Sequence, residues 1–176
     1  MKKLPIFLSV LLTTTIGCTS KEELSREKAA NLIKEAIKYP RVIDYDIYFA
    51  DPEFAKMAID KGLEKEGLVT VQRTQKLGDV GKPLVGFTSK AQPSLLPTPE
   101  KEKAIYVQKV KLADEDLLEV TGIKTMKDGK QAVAEYTTAY KNVSGFSALT
   151  DINFNKPATH KANFALYDDG WRLEKK

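Results

Sequence analysis

Residues 120–141 read VTGIKTMKDGKQAVAEYTTAYK, and this stretch decides the fold. Residues 120–126 and 131–141 flank Lys127-Asp128-Gly129-Lys130. An Asp-Gly pair between two such runs is a strong hairpin signal, because both central positions of a type I′ turn need positive φ. Residues 161–167 and 171–174 flank Asp168-Asp169-Gly170 in the same way. Residues 104–112 supply a further strand, with Tyr106, Gln108, Val110 and Leu112 on one side. Residues 114–118 read as a turn or a short helical piece. The expectation for residues 103–176 is an antiparallel β subdomain, a meander of about five strands.

Upstream the period changes. Ala29, Leu32, Ile33, Ala36 and Ile37 follow helical spacing, and Ser25 is placed to cap a helix over residues 26–38. Tyr39-Pro40 ends it, since proline disfavours helix in the residue before it. Ile43, Tyr45, Ile47 and Phe49 then alternate with Val42, Asp44, Asp46 and Tyr48, the pattern of a half-buried strand. Asp51-Pro52-Glu53 is a helix start, and the helix is expected to continue to a stop at Gly67. The short runs LVTVQ and PLVGF follow as strands around a polar loop. That order resembles the second half of a winged-helix unit. Pro93, Pro97 and Pro99 mark an extended connector at residues 97–102, so residues 25–96 read as an α+β N-terminal subdomain. The fold class is α+β.

The closing segment NFALYDDGWRLE, residues 163–174, resembles the terminal hairpins of cystatin-like and nuclear transport factor-like α+β domains. The resemblance implies a curved sheet wrapped around a helix. It carries over no functional residue. Trp171 is expected to pack on the sheet beside Leu166 or Leu173.

The chain begins with Lys2 and Lys3, continues with the apolar run LPIFLSVLL and reaches Gly17 just before Cys18, its only cysteine. These are the parts of a secretory signal peptide, here residues 1–17. The run falls short of the about 20 apolar residues that cross a bilayer. Thr15-Ile16-Gly17-Cys18 resembles the lipobox of bacterial lipoproteins. The resemblance implies cleavage before Cys18, a diacylglyceryl group on its thiol and an acyl group on its new amino terminus. Residues 18–24 then form a polar tether. One acyl chain anchors only marginally, whereas two or three hold firmly. The implied location is the bacterial cell envelope, with the outer membrane favoured in a Gram-negative cell.

Composition narrows the function. Without Lys2 and Lys3, 26 basic residues stand against 24 acidic ones, a balance of +2 that points to no nucleic-acid partner. The helix after Asp51 carries Asp60, Glu64 and Glu66 against Lys56, Lys61 and Lys65, so it lacks a basic reading face.

Chemistry is sparse. His160 is the sole histidine and makes no metal site by spacing; it reads as a surface residue at a strand entrance. Ser25 and Lys28 match S-x-x-K without its companion motifs, and a helix cap explains Ser25 more simply. Asp44 and Asp46 share one strand face, where paired acids can do acid–base work but more often face water. Asn142-Val143-Ser144 is a glycosylation sequon that a bacterial chain seldom uses. Aromatic residues in the strands fill a core or line a ligand cavity. No catalytic, cofactor-binding or metal residue is assigned, and Cys18 alone carries a site, for lipid. The reading is a non-enzymatic, membrane-anchored envelope lipoprotein that binds a protein partner or surface ligand. The alternatives are a periplasm-facing enzyme with a pocket in the curved sheet, and an unlipidated secreted binding domain.

Overall fold

The computed structural model describes residues 23–174. The expected signal peptide, Cys18 and the tether as far as residue 22 lie outside the described residues. Leu24, placed in the tether by the sequence, is buried in the core.

Helix α1 spans Arg26–Ile37. Ser25 stands in extended geometry and its Oγ accepts from the Lys28 backbone N–H at 3.1 Å, so a cap accounts for the S-x-x-K match. Ala29 and Ile33 are buried, Leu32 and Ile37 half-buried, and Ala36, expected on the stripe, is exposed. Strand β1, Arg41–Tyr48, turns Ile43, Tyr45 and Ile47 inward.

Helix α2, Pro52–Asp60, is capped by Asp51, whose side chain accepts from the Glu53 N–H at 2.8 Å. It ends seven residues before the expected stop at Gly67. Gly62 has φ 80°, and Leu63 N–H closes back on Ala58 O, an αL helix stop. A second turn ends likewise at Gly67, φ 72°. The apolar spacing through Gly62 and Leu63 hid this break. Strands β2 (Val69–Val71) and β3 (Val85–Phe87) then form a separate antiparallel pair.

A short helix α3, Glu100–Lys103, occupies part of the connector read as extended. Beyond it come β4 (Val107–Thr125), β5 (Gln131–Lys141), β6 (Ala158–Tyr167) and β7 (Gly170–Leu173). The antiparallel sheet has the order β1-β4-β5-β6-β7. It has five strands, as expected, but not the expected five. Residues 114–118 are strand rather than turn, so one 19-residue strand replaces two. The fifth member is β1, which joins β4 across the connector.

The register explains the misreading. It slips at Ile43/Asp44, at Leu117/Glu119 and at Val120/Gly122. Each slip reverses which parity of β4 points inward. The inward set runs Val110 and Leu112, then Ala113, Glu115 and Leu117, then Val120, then Ile123. The hairpins also use other turns than type I′. In both, positive φ falls on glycine alone, Gly129 at 67° and Gly170 at 122°, and Gly129 N–H bonds to Met126 O in an ordinary four-residue turn.

Two apolar clusters cover the same face of the sheet. Helix α1 lies over the end that holds Leu117, Val120, Phe164 and Trp171, packing on β4 and β7. Helix α2 with β2 and β3 covers the other end, around Ile47, Val110 and Phe146. Trp171 is 3% exposed and registers beside Leu166, as the sequence expects.

Candidate functional site

Between the two clusters the inward face turns polar. Glu115 stands in phase with Ala113 and Leu117 and is 1% exposed. Such a carboxylate is retained only if paired and hydrogen-bonded. Arg41, its register partner on β1, places Nε and Nη2 each 2.7 Å from Oε2. Thr138 on β5, fully buried, donates its hydroxyl to Oε1 at 2.7 Å. His160 on β6 brings Nε2 to 3.0 Å from Thr138 Oγ1 and 3.5 Å from Glu115 Oε1. Its ring stacks on Tyr136 with centroids 5.2 Å apart. Arg41 also lies over the Tyr39 ring at 5.6 Å.

The hydrogen bonds set the direction of the protons. A carboxylate only accepts, so Thr138 directs its single proton to Glu115 and its oxygen accepts from Nε2–H. This assigns neutral His160 the Nε2–H tautomer, by inference from the network. The Nδ1 lone pair is left without a hydrogen-bond partner among the described residues. The His160 side chain is 34% exposed, so the ring as a whole sits at the boundary between the core and water.

The surrounding groups feel the same environment. Burial first, then the Tyr136 hydroxyl, pushes the Tyr39 phenol well above its ordinary value. Burial and then the Glu115 charge push Tyr140 up as well. Burial lowers the Arg41 guanidinium, but its bond to Glu115 outweighs that and the net shift is upward. The arrangement can clamp a buried carboxylate, orient one imidazole and present its lone pair as an acceptor or base.

The sequence places His160 alone at a strand entrance. It does stand near the start of β6, third in the strand, but not alone: an acid lies at ion-pair distance. Glu115 was missed because Asp114-Glu115-Asp116 reads as a polar turn. The available signal was the alternation of Ala113, Glu115 and Leu117. Asp44 and Asp46 do lie on the outer face, roughly half exposed, with Lys109 Nζ 3.7 and 2.7 Å away. The bond to Asp46 raises the Lys109 ammonium. Asn142 of the sequon adopts φ 50° and donates to Asp114. Among the described residues no cluster of three His, Cys, Asp or Glu side chains could hold a metal, and no helix is long and apolar enough to cross a membrane. No family model matches the chain, and no curated protein or solved structure matches it.

Proposed function

We propose that this protein is a bacterial envelope lipoprotein, held at a membrane by lipid on Cys18, whose α+β body binds a protein partner or surface ligand without catalysing a reaction. One observation supports the reading: the start of α1, the end of the body nearest Cys18 in the chain, and the most exposed apolar loop among the described residues stand at opposite ends of β4. Helix α1 starts over the end with the β4–β5 hairpin, because it packs on β7, which registers with Phe164–Tyr167 beside Gln131. The loop over residues 72–83 leaves β2 and β3 beside Phe49, just past the pairing of Tyr48 with Val107 at the other end of the sheet. It displays Leu77 at 93% and Val80 at 72% exposure. A partner that covers both side chains would remove this apolar surface from water. An anchor at one end and an apolar tip at the other suit a protein that reaches outward to a partner.

Metabolic labelling with an alkyne fatty acid tests the anchor. Wild type is expected to take the label and fractionate with membranes, while Cys18→Ala stays unlabelled as a longer precursor. Equal labelling of the two would contradict the reading. The enzyme alternative draws on the Glu115–Thr138–His160 chain, which orients a base. His160 lies at a half-open edge, however, and the Asp44–Asp46 pair is on the far side of the sheet, so binding ranks first.

A further inference from the structure

We propose that the end of the body beside the anchor is a docking surface for anionic phospholipid headgroups, an inference that rests on the lipid-anchor reading. Cys18 and buried Leu24 are six residues apart, so the tether spans at most about 20 Å. The body is therefore held against the bilayer, and the end it turns downward is the one where α1 begins. That end also carries the β4–β5 hairpin and the turn between β6 and β7.

The side chains there match an anionic interface. Lys124, Lys127 and Lys130 are exposed, and none has an ion-pair partner among the described residues. Met126 and Tyr167 are exposed between them and at the neighbouring turn, where Arg172 lies over the Tyr167 ring at 4.8 Å. Aromatic rings of this kind settle at headgroup depth. Three acids of the two turns and the neighbouring strand are engaged. Asp169 pairs with Arg172, Glu135 lies 3.9 Å from Lys161, and the Asp128 carboxylate accepts from the Lys130 N–H. Asp168 remains as a counter-charge, as do exposed Glu23 and Glu27 at the start of α1 and Glu174 after β7. On the outer sheet face a hollow of about 610 Å³ opens between Lys124 and Lys161 over Met126 and Val133. Glu135 lines it beside Lys161, so Lys124 is the ammonium that meets a phosphate, with an apolar floor for the glycerol below it.

Each lysine near an anionic surface strengthens binding about five-fold, so the three hairpin lysines together supply on the order of a hundredfold. Salt removes this within a Debye length.

The lipidated protein in vesicles tests the proposal. With Cys18 acylated the chain has no other thiol, so Thr125→Cys and Val80→Cys each accept a single environment-sensitive dye. In equimolar phosphatidylglycerol and phosphatidylcholine, the dye at 125 is expected to shift to the blue and the dye at 80 to stay water-like. About 1 M salt, with a Debye length near 3 Å, should reverse the shift. So should replacing Lys124, Lys127 and Lys130 with Gln. Pure phosphatidylcholine should give none. A water-like dye at 125 in anionic vesicles, an equal shift in uncharged ones, or a shift at 80 alone would each overturn the proposal. If the protein fails to enter vesicles because Cys18 carries no lipid, the anchor reading fails with it; if it enters and the dye at 125 is unmoved, only the docking fails.

Discussion

The two halves of the sheet's inner face are filled by different means. At the end with the β4–β5 hairpin one 12-residue helix, α1, lays a single stripe on β4 and β7. At the far end the cover is pieced together from α2, two glycine-stopped turns, the β2–β3 pair and the 3₁₀ segment Gly145–Leu149. The helix half buries large side chains through a regular period. The pieced half depends on chain reversals that only particular residues allow. Glu115 sits at the seam, and β4 runs beneath both. The comparison teaches that a continuous strand with a paired charge at its centre can join two unlike packing solutions.

The seam should be the most sensitive place. Arg41→Leu leaves a buried carboxylate without its cation, and a loss of about 3–5 kcal/mol is expected. Glu115→Gln keeps the shape and leaves the half-exposed Arg41 to water, so about 1–3 kcal/mol is expected. Urea unfolding of both variants checks the asymmetry. Equal small losses would mean that the seam holds nothing together.

Trp171→Ala, inside the helix half, should cost about 3–5 kcal/mol through its cavity. Trp171 also reports that half alone, being the only tryptophan. Its fluorescence and far-UV circular dichroism should trace one urea transition, because β4 and the Arg41–Glu115 pair couple the halves. Two separated midpoints would show the halves unfolding independently.

The helix half was legible for the same reason that it is regular. Ala29, Ile33 and the Ser25 cap obey local rules, as do the Asp51-Pro52 helix start and both glycine hairpins. What the sequence concealed was non-local. The three register slips in β4 break the alternation that strand reading depends on, which turned 114–118 into a turn and left β1 outside the sheet. Glu115 was hidden by the same slips, since a charged residue between Asp114 and Asp116 reads inward only once the phase is known. His160 could not be recognised as partnered until β5 and β6 were registered, because Thr138 and Glu115 lie 22 and 45 positions away in the chain.

Smaller effects sharpen the pieced half. Gly62→Ala forces a side chain into φ 80°, for an expected loss of about 1–2 kcal/mol by thermal unfolding. A neutral outcome would mean that the α2 stop can move. On the outer face, Asp114 is held below its ordinary value by hydrogen bonds from Lys111 and Asn142. A depressed carboxyl stabilises above its unfolded value of about 3.9 and loses that contribution as pH falls through the folded value. Asp114→Asn should therefore cost under about 1 kcal/mol near neutrality and nothing in strong acid. A loss that persists in acid would point to packing instead. His160 gives the finest readout. As the only histidine, it yields one pair of imidazole ¹⁵N resonances, and the uncharged ring should carry its proton on Nε2. A proton on Nδ1 would break the Glu115–Thr138–His160 chain.

The envelope reading turns on one covalent fact, and intact-mass analysis of the mature chain purified from membranes reads it directly. The expected species begins at Cys18, lacks residues 1–17 and carries the added mass of a diacylglyceryl group and an amide-linked acyl chain. A chain that begins elsewhere, or one with an unmodified Cys18 thiol, would contradict it.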